Sequence, residues 1–193
     1  MYLFKKLFNK KISDRQVSGS KVYSISFINC KMRWIENMVL KKAAQKNYPT
    51  IDKIFMIPAS DGQSRSDIVL KIFVQSTTDS INKVLHSSEK NISWLKNNKT
   101  SLMHVLGAFK VEGGNYQITD IDSVDVAGKG RSSLRVVGET TNYLESTKFS
   151  ENVFLIKSNK LIIFQLIVMD KDEPLLENIK NDFYCLLESI KLA

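Results

Sequence analysis

The residues able to do chemistry are few and scattered in this 193-residue chain. It has two histidines, His86 and His104, and two cysteines, Cys30 and Cys185. There is no Cys-x-x-Cys and no His-x-x-x-His, so the spacing that assembles a zinc site is missing and the expectation is no metal and no cofactor. The cysteines lie far apart in sequence, which fits two reduced structural thiols in a reducing compartment better than a disulfide framework. Three groupings remain. Asp120, Asp122 and Asp125 offer oxygen ligands for a hard cation, but the spacing does not match the twelve-residue calcium loop, and solvated strand or turn positions account for them more simply. The loop Gly128-Lys129-Gly130-Arg131-Ser132-Ser133 combines exposed amides with two cations, as a phosphate cradle would. It lacks the nucleotide-loop spacing and reads as a hairpin turn. Ser101 and His104 are a nucleophile and a base in type, yet nothing in the sequence sets their geometry. No catalytic residue is assigned, and the expectation is that the protein is not an enzyme.

The elements that would position these groups are clearest in the last third. Val153-Phe154-Leu155-Ile156 and Leu161 to Met169 are apolar, rich in β-branched and aromatic side chains, and separated by Lys157-Ser158-Asn159-Lys160. An antiparallel hairpin over 151–169 is expected, its second strand covered on both faces because it barely alternates. Residues 173–192 place Leu176, Ile179, Phe183, Leu186, Leu187 and Ile190 on one helical face, with Asp172 as N-cap and Pro174 in the first turn.

Upstream, Val22 to Phe27 alternates as a strand. Trp34, Ile35, Met38 and Val39 are spaced as in a helix over 31–46. Strands follow at 51–57 and 68–74, then a helix capped by Asp79 or Ser80 that carries Ile81, Val84, Leu85, Ile92 and Leu95 inward and ends near Asn97-Asn98. Segments 102–111, 116–126 and 132–145 read as strands. Trp34 and Trp94 sit in helical patterns as core or interface anchors. Short turns between most strands call for a mainly antiparallel sheet flanked by helices, an α+β domain over 21–193.

Composition is ordinary for a globular chain, 43% hydrophobic and 25% charged, with no apolar run long enough to span a membrane. The net charge is +8, and its placement is informative. Lys5, Lys6, Lys10, Lys11 and Arg15 against Asp14 put half of it in the first fifteen residues. The rest is nearly balanced, which argues against a nucleic-acid-binding domain. In residues 1–11, Leu3, Phe4, Leu7 and Phe8 share one helical face and Lys5, Lys6 and Lys10 lie elsewhere around the helix. Residues 1–20 therefore read as a basic amphipathic arm and linker. Leu3, Phe4, Lys5, Lys6, Leu7, Phe8, Lys10 and Lys11 would dock on a protein groove or on an anionic membrane surface.

The Tyr23-x-Ile25-x-Phe27 strand, the mid-chain helix, the run of hairpins and the closing phrase Leu187-Glu188-Ser189-Ile190-Lys191-Leu192 together resemble the PsbP-like and DcrB-like superfamily of α/β/α sandwiches. That resemblance covers residues 21–193 and implies a binding or assembly role without a shared catalytic centre: adaptor, chaperone or immunity-type partner of another protein, with a link to bacterial secretion. No secretory signal and no lipid-bearing cysteine stand near the start, so the reading is a cytoplasmic protein, peripheral to the inner membrane where the arm docks. A homo-oligomer, an arm-driven membrane binder and an enzyme with an unrecognised site stay open as alternatives.

Overall fold

The computed structural model describes residues 21–25, 28–32, 39–41, 51–58, 64–85, 89–106, 115–126, 132–141 and 147–192. Five strands come first: β1 (Lys21–Ile25), β2 (Ile28–Met32), β3 (Val39–Lys41), β4 (Ile51–Pro58) and β5 (Ser64–Ser76). Three short helices follow, α1 (Asp79–Leu85), α2 (Glu89–Asn97) and α3 (Lys99–Leu106). Then come β6 (Asn115–Asp125), β7 (Ser132–Thr141), β8 (Thr147–Lys157), β9 (Lys160–Val168), the helix α4 (Leu176–Ser189) and a two-residue strand β10 (Lys191–Leu192). A seven-stranded sheet runs in the order β3-β4-β5-β9-β8-β7-β6, and a small second sheet in the order β1-β2-β10. All pairings are antiparallel. The α+β class and the mainly antiparallel sheet flanked by helices are as the sequence indicates.

The hairpin β8–β9 is tight, with Lys157 paired to Lys160 across Ser158 and Asn159. Both turn residues have positive φ, 47° and 58°, as a two-residue turn matching strand twist requires. Strand β9 is buried along nearly its whole length. Its alternate residues feed two cores. Ile162, Phe164, Leu166 and Val168 join Ile68, Leu70 and Ile72 of β5 beneath Ile179, Phe183, Leu186 and Leu187 of α4. Leu161 and Ile163 join Phe154, Leu134, Val136, Ile118 and Ile121, with Ile81, Leu85, Leu95 and Leu102 from α1, α2 and α3. Helices thus cover both faces, which explains the missing alternation. Gly138 of β7 has its own reason: a Cβ there would collide with the Tyr116 ring, so the ring takes the space a side chain would fill.

Several expectations need correction. The helix over 31–46 is not formed at its described ends. Residues 28–32 and 39–41 are strands, with Ile28 paired to Ile25 and Val39 to Met56. A short apolar run fits either period, and strand pairing decided it. The strand expected over 102–111 is helical through Leu106, with Leu102 buried. The helix after residue 79 is described over Asp79–Leu85 and Glu89–Asn97, and Thr78 Oγ1, not Asp79 or Ser80, accepts the Ile81 N–H. The closing helix begins at Leu176 without a side-chain cap. Asp172 and Pro174 belong to the turns before it, where Asp170 Oδ1 accepts the Asp172 N–H and Glu173 O accepts the Leu176 N–H. Ile190 breaks the helix in extended geometry, and Lys191–Leu192 pair with Asn29 and Ile28 instead of adding another turn.

Phe183 has no solvent exposure and sits centrally under α4. Phe183→Ala is expected to lower stability by about 3–5 kcal/mol in denaturant unfolding. A loss under about 1 kcal/mol would show that this ring does not hold the helix to the sheet.

Candidate functional site

On the face of the large sheet that α4 covers, one carboxylate is set among apolar side chains. Glu151 of β8 lies between Phe149 and Val153 on that face and has no exposed surface. Burying an unpaired carboxylate there would be prohibitive, so its partners decide whether the strand forms. Arg135, on the neighbouring strand β7, donates from Nε to Glu151 Oε1 at 2.6 Å. Tyr184 of α4 donates its hydroxyl to the same oxygen at 2.5 Å. The guanidinium also reaches outward, donating to Asp120 Oδ2 on β6 at 2.9 Å, and Lys96 of α2 stands 3.9 Å from the other Asp120 oxygen. The chain of contacts runs from the edge strand through the sheet to the covering helix. Among the described residues, Glu151 Oε2 is buried and has no hydrogen-bond partner.

The titration of these groups follows from that packing. Burial alone would lower the proton affinity of Arg135, but the Glu151 carboxylate more than reverses this and holds the guanidinium above its usual range. Burial, and then the charge of Glu151, push the Tyr184 phenol well above an ordinary tyrosine. The Glu151 carboxyl group is thus gripped by a guanidinium held charged and a phenol held neutral. What it does chemically is clamp: α4, β8 and β7 are tied through one buried oxygen, and β6 joins them through the Arg135 guanidinium. At the far end of the same face, burial and the nearby Asp125 raise Glu188.

The opposite face carries a second polar row. Gln165 of β9 donates to Asn152 Oδ1 at 2.8 Å, Asn152 donates to Val136 O at 3.4 Å, and Ser150 Oγ donates to Gly138 O at 3.3 Å. Gln165, Asn152, Ser150 and Thr140 are all buried. Burial raises the Tyr116 phenol at the end of this row, while its hydrogen bond to Ser150 pulls the other way.

The residues singled out from sequence fall differently. The arm, Leu3, Phe4, Lys5, Lys6, Leu7, Phe8, Lys10 and Lys11, lies outside the described residues, as do Trp34, His86 and positions 128–131 of the glycine-rich loop. Ser132 opens β7 opposite Asp125. Ser101 and His104 share helix α3, not a strand, and their side chains are outside the description. Asp120, Asp122 and Asp125 all lie on β6, but Asp120 is engaged by Arg135, and Asp122 Oδ1 accepts the Ser123 N–H at 2.8 Å. Among the described residues no group of three His, Cys, Asp or Glu side chains could hold a metal ion. Trp94 is not a core residue: it is 52% exposed on α2. The clamp itself went unseen, because Glu151 precedes the apolar run Val153–Ile156 and Tyr184 stands one position off the helical stripe. An arginine and a glutamate inside adjacent strand segments were the available signal.

Two outcomes test the clamp. Arg135→Met is expected to cost about 3–5 kcal/mol by leaving the buried Glu151 carboxyl group without its cation, whereas Arg135→Met with Glu151→Met costs far less. A double-mutant cycle in denaturant unfolding reads the coupling, and additive losses would mean that the pair is not coupled. Because the folded protein keeps the Tyr184 proton where the unfolded chain has lost it, stability falls as pH rises above about 10, by up to about 1.4 kcal/mol per pH unit for this group. Tyr184→Phe is expected to flatten that fall, and an unchanged slope would place the phenol outside the clamp.

No protein-family model matches the sequence, and no curated protein matches it. Solved structures do match in shape. The solution structure of cyanobacterial PsbP (CyanoP) from Synechocystis sp. PCC 6803 aligns with 93% of this chain and 96% of its own, at a TM-score of 0.58 and 11% identity. The Ran-binding protein Mog1p of Saccharomyces cerevisiae aligns with 90% of this chain and 95% of its own, at a TM-score of 0.51 and 8% identity. At such identities the likeness speaks of architecture alone, and the architecture is the PsbP/Mog1-like α+β fold.

Proposed function

We propose that this chain is a non-enzymatic binding protein, an adaptor or chaperone that engages another protein. The observation that carries the proposal is the inward convergence of three ionisable groups. Glu151, Arg135 and Tyr184 meet in the core and satisfy one another, with Glu151 wholly out of solvent. Such a clamp spends its reactive groups on rigidity, and leaves contact surface as what the domain presents to a partner. The fold supports the same reading, since Mog1p, which shares it, is a Ran-binding protein. The exposed ring of Trp94 on α2 is the kind of side chain that anchors protein interfaces.

The N-terminal arm is the segment we assign to recruitment. Its four apolar residues Leu3, Phe4, Leu7 and Phe8 suit a groove, and Lys5, Lys6, Lys10 and Lys11 suit an acidic rim. The rival docking target is an anionic membrane surface, in the cytoplasm and peripheral to the inner membrane. The two targets separate by salt, because exposed lysines are screened within about 8 Å at physiological ionic strength while apolar seating is not.

The test compares the full chain with a chain lacking residues 1–18. Both should fold, because the first described strand begins at Lys21. The protein captured from the native cell by the full chain, once identified and purified, should bind it stoichiometrically and bind the shortened chain at least about tenfold more weakly, a difference of about 1.4 kcal/mol. Binding that collapses in high salt and transfers to anionic vesicles would replace the protein target by a membrane. Equal binding by both chains would take the arm out of recruitment. Turnover of a substrate by the purified chain, abolished by a point substitution, would overturn the non-enzymatic reading itself.

A further inference from the structure

Strand β6 ends the seven-stranded sheet among the described residues, and it is eleven residues long. A long free edge presents a row of unpaired backbone groups, a template on which another chain can add a strand. Here the edge is not bare. Asp120 Oδ1 accepts the Ile121 N–H at 2.9 Å, and Asp122 Oδ1 accepts the Ser123 N–H at 2.8 Å. Residues 121 and 123 are two apart, so their N–H groups leave the strand on the same side. Each donates to the carboxylate just before it, and two donors serving side-chain oxygens of their own strand mark the side of β6 turned away from β7.

We propose that Asp120 and Asp122 close the β6 edge to strand addition by a second copy of this chain, by occupying the Ile121 and Ser123 backbone donors at its middle with their own side chains. Two further features act in the same direction. The register shifts between Ile118 and Asp120, which bends the edge away from a straight partner. The segment Asn115–Asp125 carries three aspartates and no lysine or arginine, so an antiparallel β6–β6 pair would set carboxylates against carboxylates. The device is independent of the binding role: it concerns what the sheet must not bind.

Asp122 is the position to change, because it is exposed and takes no part in the Arg135 clamp that engages Asp120. Sedimentation velocity over a concentration series reads self-association of the full chain. Asp122→Ala frees the Ser123 donor and is expected to tighten self-association at least about tenfold over the native chain. Asp122→Asn removes the charge but keeps an acceptor oxygen, and is expected to move it by less than about threefold. Adding Ser123→Pro to Asp122→Ala removes the outward donor without touching the ladder to β7, and should return the protein to native behaviour. No change with Asp122→Ala would overturn the proposal. Equal effects of Ala and Asn would also overturn it, leaving charge alone as the guard, and so would association that survives Ser123→Pro.

Discussion

The structure depends on the burial of β9. Eight of its nine residues are buried, on both sides of the sheet, so neither face can be left to water. Strand β5 on one flank and β8 on the other extend the same demand. Helix α4 meets it on one face with Phe183, Leu186 and Leu187, and α1, α2 and α3 meet it on the other with Ile81, Leu85, Leu95 and Leu102. The order of the chain follows from this: the helices fall before β6 and after β9 because the central strands need cover from both directions. The short strand β10 then carries the end of α4 into the small sheet, where it pairs with β2.

A sheet apolar on both faces has weak positional information, because one greasy row fits another in several registers. The polar rows supply that information. Glu151 can be buried only where Arg135 and Tyr184 both reach one of its oxygens, which ties β8, β7 and α4 to a single alignment. On the other face, Gln165 and Asn152 pair directly across β9 and β8, where a shift of one residue would leave both amides buried and unpaired. These groups add little net stability when paired and a large penalty when not, and that asymmetry is what selects a register.

The legible part of the fold was the part dictated by local pattern. The β8–β9 hairpin could be read because its turn is short and polar, and α4 because its apolar stripe is regular. What could not be read was decided by distant partners. Residues 28–32 and 39–41 sit beside a helical spacing of Trp34, Ile35 and Met38, yet pair with Lys21–Ile25 and with β4. Leu102 to Leu106 is apolar enough for a strand, but Leu102 is wanted in the core beneath α2 and α3. The clamp is the extreme case. Arg135, Glu151 and Tyr184 are separated by 16 and 33 residues, and only the completed sheet makes them neighbours.

Likeness to CyanoP and Mog1p at 11% and 8% identity has a physical meaning here. An architecture can persist at such distances only if it is specified by pattern, since no single residue is required by the layering of helices on a sheet. The layering asks for apolar side chains on both faces of the central strands and for amphipathic helices to cover them, and many sequences answer. What distinguishes one chain from another must then reside in residues the layering leaves unspecified. In this chain those are the polar groups set into an apolar sheet, the aspartates along β6 and the exposed ring of Trp94. The first set aligns the fold with itself, the second bears on what may join its edge, and the third lies where a partner can reach it. Asp120 belongs to both sets, since it accepts the Ile121 N–H at the edge and also accepts from Arg135, while Asp122 and Trp94 stand outside the clamp and can change with little effect on the core.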